Sequence, residues 1–186
     1  MSRIGYIRKT AWFAFVFLLA IYLGLVAVRV LYPLRHISLV LEHARQQELD
    51  PTLVFAVIYA ESRFDTMAVS PSGALGLMQV MPATGAWVAE QLGESDFTPD
   101  DLHDPETNIR FGTWYLRQLT DEFSQYETVL QAYNAGPANA ADWRQDQSLV
   151  FPETRDYVRR TSNALLIYRL YLRFPAIGRI TPSFAL

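Results

Sequence analysis

Composition and patterning predict a mainly α protein, a helical domain standing behind a single N-terminal transmembrane helix. Three observations support this. One long apolar run carries no charge, several apolar repeats at helical spacing open on proline or a capping side chain, and almost no stretch alternates as a half-buried strand must. The 186 residues, 51% of them hydrophobic, are enough for one cored domain and an appendage. With no cysteine, disulfides, thiolate metal ligands and a lipid-modified cysteine anchor are all excluded.

The appendage comes first. Thr10 to Val28 is uncharged, lies between Lys9 and Arg29, and matches the ~20 apolar residues that cross a bilayer as a helix. A cleavable signal peptide is the rival reading, but its apolar core is usually ~7–15 residues and ends in an A-x-A-like site, which this run lacks. The segment is therefore expected to be an uncleaved anchor over residues 10–31, with residues 1–9 cytoplasmic, a short linker at 32–36 and the domain at 37–186. Arg3, Arg8 and Lys9 precede the run, whereas only Arg29 and Arg35 follow closely, so the positive-inside bias favours an exported domain. Five of the 16 basic residues and no acidic one lie before His36, which leaves 11 against 19 and a net −8 beyond it. That sign argues against a nucleic-acid partner.

Beyond Pro33, an amphipathic repeat (Ile37, Val40, Leu41, Ala44) predicts a helix from His36 to Glu48. Asp50-Pro51 opens the next, with a capping carboxylate and a proline where its missing N–H is harmless. Further helices are expected from Pro82, Asp104-Pro105-Glu106, near Gln125, Pro137 and Pro152-Glu153-Thr154, the last running to about Arg173 and stopped at Phe174-Pro175. His36, His43 and His103 show no paired ligand spacing and are expected at the surface; no metal or other cofactor is called for. DLHDPETN lacks calcium-loop spacing and is expected to cap a helix. Tyr157, Tyr168 and Tyr171, with Leu165 and Leu172, fall near helical spacing and are expected to pack the core.

Three places break the apolar pattern. In the helix after Asp50, Leu53, Ala56, Val57, Ala60, Glu61 and Phe64 share one face, so Glu61 stands on the core stripe. A partly desolvated carboxyl holds its proton, as a general acid must near neutral pH; a half-buried glutamate paired to Arg63 or to some distant arginine is the plain alternative. In AVSPSGALGLMQVMP, Ser70-Pro71-Ser72-Gly73 is a turn, and Gln79 sits among Leu77, Met78 and Val80, where an unpaired amide would be costly unless a polar ligand met it. In AYNAGP, Tyr133 and Asn134 bring a phenol and an amide to the end of an apolar segment, or simply terminate a helix.

Taken in order, AESRF, SPSGALGLMQVMPATG, NIRFGTWYLRQL with LQAYNAGP, and FPETRDYVRR resemble the catalytic domain of soluble-type lytic transglycosylases, lysozyme-like enzymes that cut the glycan strands of bacterial peptidoglycan. The resemblance implies a lysozyme-like helical domain, with Glu61 as the catalytic acid beside Ser62. It implies substrate contacts from Ser70, Met78, Gln79, Tyr133, Asn134 and Glu153, and peptidoglycan glycan strands as the partner. For Glu153, an acid in the first turn of a helix is favourable without any ligand. Gly85 departs from the family, which more often has alanine there, and the enlarged N-terminal superstructure of some members is not expected. Two other functions stay open at this point. One is hydrolysis in the manner of goose-type lysozymes, with Asp65 as the local candidate for a second carboxylate; the other is an inactive membrane-tethered glycan-binding scaffold.

Overall fold

The computed structural model describes residues 3–174; the expected stop at Pro175 and the domain boundary at residue 186 lie outside the described residues. Eight α-helices are described: α1 (Arg3–Leu31), α2 (Ile37–Gln46), α3 (Pro51–Ser62), α4 (Pro82–Leu92), α5 (Pro105–Glu122), α6 (Tyr126–Ala135), α7 (Pro137–Trp143) and α8 (Pro152–Arg173). Among the described residues there is no β-strand, only the isolated bridges Val69 with Leu75 and Leu75 with Val80. Two short 3-10 turns, Pro99–His103 and Gln147–Leu149, had no counterpart in the sequence pattern, because a single tight turn has no 3.6-residue period to detect.

α1 contains one segment, Ala11–Leu31, long and apolar enough to cross a membrane. Its 21 residues span about 31 Å at ~1.5 Å per residue, close to the thickness of a hydrocarbon core. Trp12, Phe15 and Phe17 face outward, with no core to cover them.

The connection from α1 into the domain is packed rather than loose. Tyr32 stacks on Tyr59 with ring centres 4.6 Å apart, and the Tyr168 hydroxyl donates to the Pro33 carbonyl at 3.0 Å. The Arg29 guanidinium lies over the Tyr171 ring at 5.4 Å. Leu34 also packs against the domain core.

α3 is the axis of the domain, packed mainly against α8 and α2. Asp50 accepts from the Thr52 amide at 2.9 Å, the expected cap. Every residue from Thr52 to Ile58 is buried, so α3 is covered on all sides and is not the one-faced helix its spacing suggests. The helix also stops earlier than the stripe implies. Arg63 (φ 52°) and Phe64 (φ 67°) turn left-handed, and Phe64 enters the core from that turn rather than from the helix.

α2 occupies the expected place but excludes both predicted ends, since His36 (φ 51°) and Glu48 (φ 53°) are left-handed. His43 corrects the surface expectation. It is 3% exposed, and its ring bonds Gln46 at 3.1 Å and Glu106 in the first turn of α5 at 2.8 Å. The partner lies far along the chain, so local pattern gave no sign of it. Asp104 caps α5 through the Thr107 amide at 2.9 Å, as DLHDPETN suggested. Tyr157, Tyr168 and Tyr171 are all buried on α8. Gly85 has a local reason: a β-carbon there would lie 2.8 Å from the ring of Phe97, which occupies the space an alanine would need.

Candidate active site

Glu61 is the penultimate residue of α3, at the point where the buried helix ends. The turn that ends it is tied across the domain. The Ser62 hydroxyl donates to the Leu77 carbonyl at 2.7 Å and accepts from the Phe64 amide at 3.1 Å. One residue on, the Met78 carbonyl accepts from the Tyr133 hydroxyl, near the end of α6, at 2.9 Å. The 75–80 segment is thus stitched to α3 on one side and α6 on the other, beside Glu61.

Two tyrosines flank the carboxyl. Tyr133 and Tyr157, from the second turn of α8, both have hydroxyls held well above the usual tyrosine range, first by burial and then by the proximity of Glu61. They remain neutral. The Tyr157 hydroxyl is buried without a hydrogen-bond partner; it faces Glu61 closely enough to favour the charged form, yet completes no bond with it. Burial raises the Glu61 carboxyl from 4.5 to about 7, against the smaller opposing effects of Tyr157 and the Arg160 cation. A carboxyl in that range can give a proton near neutrality and take one back. The plain alternative, an ion pair to Arg63 or to a distant arginine, is not formed among the described residues: Arg63 is exposed and unpaired, and Arg160 acts on Glu61 through its charge without a salt bridge.

The other sequence candidates divide. Gln79 is left-handed (φ 49°), and its amide nitrogen donates to the carbonyls of Gly76 at 2.9 Å and Ala68 at 3.2 Å. The loop itself satisfies these donors, so no ligand is needed for them. The side-chain oxygen has no intramolecular partner among the described residues and is what Gln79 offers outward. Met78 is fully buried, its sulfur 3.8 Å from the Thr113 hydroxyl, so it shapes the site through its backbone. Ser70 closes its turn by accepting from the Ala74 amide at 2.9 Å and is partly exposed. Asn134 follows Tyr133 and is partly exposed. Glu153 is exposed in the first turn of α8, one turn before Tyr157 and so on the same helix face. Asp65 is exposed and accepts from the Met67 amide at 2.9 Å, turned into its own loop.

Two positioning residues, Asn108 and Arg155, were not singled out by the sequence. Asn108, wholly buried on α5, accepts from the Met78 amide at 2.7 Å and donates to the carbonyls of Leu75 at 2.8 Å and Leu102 at 2.7 Å. Gly76 (φ +73°) makes room for it, since a β-carbon would collide with the Leu102 carbonyl and the Asn108 amide. Arg155 binds the carbonyls of Val150 at 2.8 Å and Ser148 at 2.9 Å, holding the turn before α8. Tyr157 is both core and site. The available signal was a polar residue inside an apolar face, the criterion that picked out Gln79 and applies equally to Asn108.

The Transglycosylase SLT domain family matches residues 38–150. The chain is 33% identical over 155 residues to the soluble lytic murein transglycosylase of Salmonella typhimurium, covering 76% of this chain and 23% of that protein. It is 35% identical over 113 residues to the membrane-bound lytic murein transglycosylase C of Haemophilus ducreyi, covering 55% of this chain and 30% of the relative. Among solved structures it is similar to the 70 kDa soluble lytic transglycosylase of Escherichia coli, with TM-score 0.73, 30% identity and coverage of 78% and 26%. It is also similar to an inactive glutamate-to-glutamine mutant of lytic transglycosylase Slt from Pseudomonas aeruginosa, with TM-score 0.70, 29% identity and coverage of 82% and 26%. The chain spans about a quarter of the length of the first of these relatives.

Proposed function

This chain belongs to the transglycosylase SLT family, and from that premise we propose that it is a peptidoglycan lytic transglycosylase in which Glu61 serves first as acid and then as base. The observation that carries the reading is the Glu61 carboxyl, raised to about 7 at the end of a buried helix between two neutral tyrosines. Glu61 protonates the oxygen joining N-acetylmuramic acid to N-acetylglucosamine. The muramyl 2-acetamido group supports the cationic carbon, a substrate-assisted route that departs from the two-carboxylate rule. The carboxylate then takes the proton of the same sugar's 6-hydroxyl as its oxygen closes onto C1. The product is a 1,6-anhydromuramyl end, and no water is consumed.

Two residues have the roles their geometry allows. Tyr133, its proton committed to Met78, keeps lone pairs on its hydroxyl oxygen that can accept from protonated Glu61. Tyr157 can donate to the carboxylate once Glu61 has lost its proton, the role its unpartnered hydroxyl fits. Ser70, the Gln79 oxygen, Asn134 and Glu153 are proposed to meet the glycan, and Met78 to form the groove floor through its backbone. Asp65, engaged in its own turn, gives no support to water activation across the sugar. Substitution of glutamine for glutamate in the inactive Slt mutant is in keeping with a single essential carboxyl.

The anchor reading extends this. α1 is proposed to cross the cytoplasmic membrane with residues 1–9 inside and the domain, from residue 37, on the cell-wall side. Its support is the apolar segment Ala11–Leu31, the basic residues ahead of it and a membrane-bound relative.

Mass spectrometry of muropeptides released from purified sacculi tests the chemistry. Anhydro ends are expected. Termini heavier by one water would indicate hydrolysis, and an absence of soluble products from intact protein that binds sacculi would indicate a scaffold.

A further inference from the structure

The last turns of α8 carry an apolar stripe that the catalytic reading leaves unused. Leu166, Leu170 and Phe174 recur every four residues and are 59%, 49% and 49% exposed. Arg173 lies beside them, its guanidinium 5.9 Å from the Phe174 ring. Such a stripe needs an occupant.

The contacts with α1 identify one. Tyr168 bonds the carbonyl of Pro33, past the end of α1, whereas Tyr171, three residues further along α8, lies against Arg29, inside it. Proceeding along α8 therefore means going back along the exit path of the chain, toward the apolar segment that ends at Leu31. Phe174 lies about 4.5 Å beyond Tyr171 along the helix axis, in the direction of the hydrocarbon. Tyr32, Tyr168 and Tyr171 cluster at that level, and tyrosine is enriched where headgroups meet water. An exposed arginine next to a deeper phenylalanine suits an interface in which the cation reaches up to phosphate while the ring enters the acyl boundary.

We propose that the C-terminal turns of α8 enter the lipid interface beside α1, through Phe174 and Leu170 with Arg173 at headgroup level, so that the domain rests on the bilayer at a second point. This rests on the reading that α1 spans a membrane. It goes beyond that reading because it fixes the bearing of the whole domain, with Leu166 shallowest and Phe174 deepest.

The native chain has no cysteine, so single-cysteine variants of the full chain can each carry one environment-sensitive fluorophore. Leu166→Cys, Leu170→Cys, Phe174→Cys, Leu18→Cys within α1 and Met67→Cys on a distant exposed turn would be reconstituted in phosphatidylcholine–phosphatidylglycerol vesicles containing a lipid spin-labelled at a shallow acyl carbon. The expected result is graded loss of emission, strongest at 174, weaker at 170 and weakest at 166, with none at 67. Labels at 170 and 174 quenched no more than the one at 67, while Leu18→Cys is quenched, would overturn the proposal and leave the span standing. An unquenched Leu18→Cys label would overturn both. A blue shift at 170 and 174 that vanishes on dilution with lipid, without quenching, would place a second copy on the stripe and also overturn it.

Discussion

Glu61 keeps its proton because of where α3 stops. Two residues later the chain turns left-handed, which leaves the carboxyl at the edge of the core. Its raised affinity has a stability consequence as well as a kinetic one. Because the folded value, about 7, exceeds the unfolded 4.5, the contribution of Glu61 to stability is full below pH 4.5 and is lost as pH rises toward 7. At about 1.4 kcal/mol per unit, ionised Glu61 destabilises the fold by about 3 kcal/mol above neutrality. Glu61→Gln is accordingly expected to lose about 10²–10⁴-fold in rate, to raise the melting temperature at pH 8, and to leave it nearly unchanged at pH 4. Calorimetry at the two pH values with a product assay checks both halves, and kcat/KM of the unaltered protein should fall with one proton above pH 7. Legibility at this scale was uneven. Glu61 and Tyr133 stood out as polar groups in apolar runs, whereas the spacing of Tyr157 marks it only as core. A buried tyrosine is apolar along its ring and polar at its tip, and sequence does not tell what the tip meets. Met78 shows the converse, a residue of the expected groove block whose side chain is entirely interior.

At the scale of elements, the segment 68–81 has no regular structure of its own and depends on neighbours for its shape. Asn108 braces it from inside the core, pairing the Met78 amide and the Leu75 carbonyl and tying them to the Leu102 carbonyl of the neighbouring 3-10 turn. Asn108→Ala removes this partner from the Met78 amide and the Leu102 carbonyl, whereas the Leu75 carbonyl keeps the Val80 amide at 3.0 Å, and the expected loss is about 2 kcal/mol or more. Hydrogen exchange at the Met78 amide should accelerate in this variant, and turnover should fall although Asn108 touches no substrate. Wild-type exchange at that amide would refute the bracing role. Helix starts marked by proline at the first position or an aspartate cap were legible, because those signals act locally: Pro51, Pro82, Pro105, Pro137 and Pro152 all open helices. Helix ends and burial were less so. α3 ends at two non-glycine left-handed residues that carry no sequence mark, and the burial of His43 depends on Glu106, brought near only by the packing of α2 on α5.

For the molecule as a whole, the sequence leads one to expect an apolar span, a linker and a domain, with no sign of how they join. The joint is aromatic. Tyr32, Tyr59 and Tyr168 interlock, and each looks unremarkable in its own segment. A stacked pair contributes about 0.5–1.5 kcal/mol beyond its burial, so Tyr32→Ala should leave the domain folded yet freer to swing. Faster anisotropy decay of a label at Met67→Cys in vesicles is the expected readout; an unchanged decay would mean that the stack does not hold the domain.

That joint has one more consequence. Residues 32–36, pinned at Tyr32 and Pro33, behave as a bracket and not as a leash. With α1 in a membrane and Glu61 as the acid, as proposed above, the distance from bilayer to cut would be a built-in clearance, bounded by the α8 rise from Tyr157 to Tyr171, about 21 Å at ~1.5 Å per residue. New strands would come under Glu61 by sideways drift of the protein in its membrane, and a strand stretched above that clearance would go uncut however long the enzyme stayed beneath it.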